Sequence, residues 1–216
     1  TSILYKSMKD ILSLVPHEVN DYVKSLIEGQ DLIIKTVPKR RTKHGDYRKS
    51  NNKDIITINY IDNKYRFLLI LIHEFAHFNV YKKNIRTSPH GTIWKNEFKK
   101  LLQPILDKNI FPNGLQILIQ SHMKNPKSSF SYDSPLEIEL NKYDNDYKNY
   151  TYLEDIDIGN IFRYNNDKLY KKIEKRRKRY LCIENDSGRK YLFLPHAKVE
   201  LIWKKLLLVD ILTRFM

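Results

Sequence analysis

The stretch NKYRFLLILIHEFAHFNVYKK, residues 63–83, decides how this chain is read. From Tyr65 to Ala76 it is apolar nearly all round, and a helix of that kind belongs in the middle of a domain. Three polar groups interrupt it within little more than a turn: His73, Glu74 and His77, in the order H-E-x-x-H. Two histidines four residues apart project from one face of a helix, so both imidazoles reach a single metal ion. Catalytic Zn²⁺ takes nitrogen donors at about 2.0–2.1 Å, with three protein ligands and a water. The metal lowers the pKa of that water from 15.7 to about 7. Glu74, next to the first histidine, is placed to take the water's proton as general base rather than to bind metal. An apolar helix has little other reason to carry three polar groups on one buried turn.

A third ligand is needed. The metzincin continuation is absent, because the positions three and six after His77 are Val80 and Lys83 rather than Gly and His. Two candidates follow. His90 stands in the turn Ser88-Pro89-His90-Gly91, thirteen residues after His77. Glu97 stands twenty residues after His77 in an amphipathic segment, where a His₂Glu site takes its ligand. Spacing alone leaves both open.

Outward from this helix, the pattern predicts an α+β fold. Residues 3–28 read as helical, interrupted by Pro16. Leu32–Val37 and Asp54–Tyr60 read as strands, joined by a basic, hairpin-like connection with a turn signal at Gly45-Asp46. Thr92–Leu106, ending near Pro104, and Leu115–Met123 read as helices, and the polar residues 124–153 as mostly irregular. Tyr180–Ile183 and Tyr191–Leu194 read as a hairpin around a Gly-containing loop. These elements suggest a core domain over 1–164 and a basic appendage over 165–216.

Composition narrows the partners. The 216 residues carry 39 Lys and Arg against 25 Asp and Glu, a formal charge of +14, which favours polyanions. The excess concentrates in two blocks. One holds Lys39, Arg40, Arg41, Lys43 and Arg48; the other holds Lys175, Arg176, Arg177, Lys178 and Arg179. Tyr47, Tyr170 and Tyr180 lie among them, a mixture suited to stacking bases while cations neutralise phosphates. Such a surface reads backbone, not base sequence, and single-stranded or non-specific DNA is the expected partner. The competing reading of each block is a solvated face. His44 reads as a solvated turn residue, and Trp94, four residues after His90, as core beneath the site.

One cysteine, Cys182, rules out an intrachain disulfide and any Cys-based zinc ribbon, and reads as a small core residue. The longest purely apolar run, Phe67–Ile72, is far below the roughly 20 residues that span a bilayer. Val199–Met216 is apolar but broken by Lys204, Lys205, Asp210 and Arg214, and would serve at most as an oligomerisation or partner helix. No signal-peptide core opens the chain, so a cytoplasmic protein without membrane contact is expected.

His73-Glu74-Phe75-Ala76-His77, followed by Pro89-His90-Gly91-Thr92-Ile93-Trp94 and a Phe98-bearing helix, resembles the SprT-like metallopeptidases, the family that includes the DNA–protein crosslink protease Spartan. Arg40, Arg41, Gly45 and the strand Ile55–Asn59 resemble the hairpin before that family's active-site helix, so the likeness covers about residues 5–106. It implies a zincin-like core of N-terminal helix, short mixed sheet, HExxH helix, and ligand-bearing turn followed by a second helix. It further implies one Zn²⁺ on His73, His77 and His90, with Glu74 as general base, and DNA-associated proteins as substrates. The tail departs from the family. Arg179-Tyr180-Leu181-Cys182 keeps the shape of half a zinc ribbon, but the other cysteines are missing and His196 lacks companions. A hairpin held by Tyr180, Ile183, Tyr191 and Phe193 is the expected remainder. The contrasting reading is a non-catalytic nucleic-acid-binding protein with a structural metal.

Overall fold

The computed structural model describes residues 8–40, 42–84, 87–145, 151–164 and 167–202. The chain divides into two compact units, residues 1–145 and 146–216.

The first unit is built around one helix. Helices α1 (Met8–Ser13) and α2 (Asn20–Ile27) flank a 3₁₀ turn at His17–Val19, so Pro16 interrupts the N-terminal helical stretch where its missing N–H requires. Strands β1 (Leu32–Val37), β2 (Gly45–Ser50) and β3 (Lys53–Asn59) follow. They form a mixed sheet in the order β1-β3-β2, with β1 parallel and β2 antiparallel to β3. The central strand is buried from Ile56 to Asn59. The tight turn lies not at Gly45-Asp46, as expected, but at Asn51-Asn52, both with positive φ (50° and 58°). That is the two-residue hairpin turn whose twist matches the flanking strands.

Helix α3 (Lys64–Lys82) is the HExxH helix, and every residue from Arg66 to Ala76 is buried. Its start is fixed by Asn63, whose Oδ1 accepts the Arg66 N–H at 3.0 Å while its Nδ2 donates to the Leu140 carbonyl at 2.7 Å. It packs against β2 and β3 and against α4 (Thr92–Asp107), which runs through Pro104 for a further turn. Each fully buried Leu, Ile or Phe of α3 contributes about 1.5–3 kcal/mol. Helix α5 (Asn113–Lys124) follows as expected. The region expected to be irregular holds a 3₁₀ turn at Phe130–Tyr132 and helix α6 (Ser134–Asn141), tied to α3 through buried Arg66, which donates to Glu137 at 2.8 Å and to Asn141 at 3.0 Å.

The second unit is more than a hairpin. Strands β4 (Thr151–Tyr152), β5 (Ile161–Arg163), β6 (Leu169–Arg176), β7 (Arg179–Glu184), β8 (Lys190–Phe193) and β9 (Lys198–Ile202) form a six-stranded sheet in the order β4-β9-β5-β6-β7-β8. Because β4 and β5 pair with β9 and β6, residues 151–164 join this unit and not the first, which moves the division from 164/165 to 145/146. Its core is Leu153, Ile156, Phe162, Tyr170, Tyr180, Cys182 and Val199, with Tyr191 and Phe193 packed against them. Ile183, expected in that core, is only half-buried. No helix among the described residues is long and apolar enough to cross a membrane. The stretch 203–216, where a partner helix was considered, lies outside the described residues.

Candidate metal centre

Two turns of α3 and one loop bring three imidazoles together. His73 Nε2 lies 3.0 Å from His90 Nε2, and His77 Nε2 lies 2.9 Å from the same atom. Tetrahedral coordination at about 2.0–2.1 Å separates ligand nitrogens by about 3.3 Å, so these two pairs lie within a few tenths of an ångström of that spacing, and all three ligand atoms lie within 4.8 Å of one another. Among the described residues this is the one group of three or more His, Cys, Asp or Glu side chains close enough to share an ion.

The loop reaches α3 because of its local sequence. Gly91 N donates to the Ser88 carbonyl at 3.0 Å, closing a four-residue turn with Pro89 second and His90 third. Pro89 presets its own φ, and His90 takes φ 59°, a left-handed value that non-glycine residues adopt seldom and at a cost of order 1–3 kcal/mol. A Cβ on Gly91 would stand 2.6 Å from Ser88 Oγ and 3.1 Å from the Ser88 carbonyl, so a larger residue at this closing position would have to turn the serine hydroxyl aside.

Trp94 forms the floor, 1% exposed. Its ring centroid lies 4.6 Å from those of His73 and His90 and 5.3 Å from that of His77, and it stacks on Phe98 at 5.2 Å. The apolar wall keeps the imidazoles neutral. Burial, then the neighbouring imidazoles, hold His73 well below the usual histidine range. Burial and His90 bring His77 down to about 4, and burial lowers His90. At neutral pH all three present lone pairs, the form a metal needs.

Glu74, 5% exposed, points toward strand β2. Burial first, then the charge of Asp46, push its carboxyl up to about 8, while the backbone N–H of Tyr47 donates to it and pulls the other way. A dication held by the three imidazoles would favour the ionised form. Gly45 makes this approach possible: a Cβ there would sit 2.7 Å from Glu74 Oε1 and 2.8 Å from Ile70 Cγ2. The sequence marks this glycine as a turn residue, yet it stands in a strand and its function is to leave room for the carboxylate.

The other candidate ligand does not join the cluster. Glu97 is buried, accepts from Asn79 Nδ2 at 2.9 Å, and pairs with Lys83 Nζ at 2.6 Å. Burial raises its carboxyl, but these two partners outweigh it and lower the net value. His44 is half-buried rather than solvated, and burial lowers its imidazole; it lies outside the triad. A buried His–Asp pair escaped the sequence reading. His122, 3% exposed, contacts Asp133 Oδ2 through Nδ1 at 2.8 Å, and nothing in the apolar pattern of α5 distinguishes it from core.

The first basic block is largely folded onto itself. Arg40 binds Asp46, Thr57 and Asn59, and Lys43 and Arg48 reach Asp46 at 3.0 Å each. Lys39 is exposed, and Arg41 lies outside the described residues. The second block is different: Lys175, Arg176, Arg177, Lys178 and Arg179 are all exposed around the β6–β7 turn, with only Arg176 paired among them, to Glu174 at 2.5 Å. No protein-family model, curated protein or solved structure matches the chain.

Proposed function

We propose that this chain is a zinc-dependent endopeptidase of the SprT-like type acting on DNA-associated proteins. The observation that carries the reading is the meeting of His73, His77 and His90 nitrogens with Glu74 beside the first of them. Zn²⁺ on these three imidazoles supplies Lewis-acid polarisation of a carbonyl and acidifies water. Glu74, oriented by the Tyr47 N–H and held in a buried setting that raises its proton affinity, accepts the proton of the attacking water. It returns that proton to the departing amine. Trp94 and Phe98 fix the imidazoles and close the inner side to solvent. The exposed cations at the β6–β7 turn, beside Tyr180, supply a backbone-reading contact for nucleic acid.

Glu74→Gln combined with zinc quantitation tests the assignment. The expected result is one zinc per chain in both proteins and proteolysis reduced by at least about 100-fold in the variant. A zinc-loaded wild type that turns over no protein substrate, with or without DNA, would move the chain to a nucleic-acid-binding protein with a structural metal.

A further inference from the structure

An open cavity of about 550 Å³ adjoins the metal centre within the first unit, between the start of α4 and the loop that follows α5. His90 belongs to its wall, so a group lodged there lies one side chain from the imidazole cluster. Lys95, Asn125, Lys127, Ser128 and Tyr132 line it, and no carboxylate does. Lys95 Nζ donates to Asn125 Oδ1 at 2.8 Å, which directs the ammonium and leaves it further protons to donate. The carboxylates nearby in sequence are engaged elsewhere: Glu97 by Lys83 and Asn79, and Asp133 by His122.

The loop is also held in shape. His122 Nδ1 meets Asp133 and its Nε2 accepts the Lys127 backbone N–H at 3.4 Å, so one buried imidazole ties both ends of the segment that carries Lys127 and Tyr132. A pre-shaped recess with two cations and neutral hydrogen-bonding groups matches an anionic side chain of modest size. We propose that this cavity is a substrate subsite selecting an acidic residue beside the cleaved bond, its carboxylate received by Lys95 and Lys127. This rests on the peptidase reading.

The test separates the two. Zinc-loaded Glu74→Gln protein is titrated with fluorescent peptides that differ only by Asp or Asn at each position flanking the cleavable bond. At one position the Asp peptide should bind about tenfold more tightly, and Lys95→Gln/Lys127→Gln in the same background should reduce that ratio to about one with zinc content unchanged. Equal affinity at every position, or a preference that survives the double substitution, overturns the subsite. Displacement of the Asp peptide by an oligonucleotide, dependent on the same two lysines, would assign these cations to phosphate instead and also overturns it. Binding selectivity is read without turnover, while cleavage by the zinc-loaded wild type tests the peptidase reading separately, so the two failures are distinguishable. In active enzyme, the ratio of kcat/KM for Asp and Asn peptides should follow the same pattern.

Discussion

At the scale of single residues, the site is decided by what surrounds each polar group. His90 and Glu97 are both buried or half-buried downstream of the same helix, yet only His90 has its nitrogen free to face His73 and His77. His90→Ala should therefore reduce zinc occupancy at least tenfold, measured by metal analysis after dialysis. Glu97→Ala should keep its zinc but lower thermal stability, because Lys83 and Asn79 lose their shared acceptor. The reverse pattern would place the chain in the His₂Glu class. Gly45 tests the general base separately. Gly45→Ala drives a methyl to within 2.7 Å of Glu74 Oε1, between a strand and a helix that are both packed. Zinc should remain bound while kcat falls by about 10-fold or more; unchanged kcat would mean that the carboxylate's position is immaterial. A sequence without structure offers no means of seeing this, since a small residue beside Asp46 reads as a turn.

At the scale of elements, legibility followed length and periodicity. Helix α3 was readable because apolar residues run unbroken from Phe67 to Ile72 and dominate its middle on nearly every face, and β1 and β3 because β-branched runs ended at Pro38 and shortly after Tyr60. Helix α6 was hidden in a polar region because its buried apolar residues are only Leu136 and Leu140, while buried Arg66 and Asn63 add polar ties to α3. Strands β4 and β5 have two and three residues, too few for an alternation to be recognised. What unites them with β6 is also polar: Lys172, 3% exposed, donates to the carbonyls of Leu153 (2.7 Å), Glu154 (3.4 Å) and Ile156. Glu184 stands two positions along β7 from Cys182, the cross-strand partner of Lys172. Lys168, Ser187 and then Tyr191 hold its carboxyl down to about 2. A carboxylate depressed in the folded state stabilises above its unfolded pKa of about 4.5, and this contribution is lost as pH falls toward 2. The wild type should thus lose stability between pH 4.5 and 2 more steeply than Glu184→Gln. Near-UV circular dichroism of the tyrosine cluster follows the difference, and parallel curves would remove Glu184 from this role.

At the scale of the whole molecule, a charge of +14 is a statement about polyanions only where the cations are free to meet them. Composition counts the block around residues 39–48 and the block at 175–179 alike, but the structure separates them. Asp46, its carboxyl held far below the usual range by Thr57, Lys43 and Arg40 against the opposing effect of burial, gathers Arg40, Lys43 and Arg48 of the first block onto one carboxylate and so braces β2 beside Glu74. The second block projects around a two-residue turn where Arg177 has φ 48°, with Lys175 Nζ over the Tyr180 ring, 5.6 Å from its centroid. DNA affinity should accordingly depend on the second block more than the first. Each phosphate contact to a single strand contributes about 0.7 to the slope of log K against log salt. Replacing Lys175, Arg177 and Lys178 by Gln should flatten that slope by about 2, read by fluorescence anisotropy over a salt series. Arg40→Gln should leave the slope within about 0.7 of wild type and instead loosen β2, lowering peptidase activity through Glu74. A slope that responds to Arg40 and ignores the turn would transfer the nucleic-acid surface to the edge of the metal centre itself.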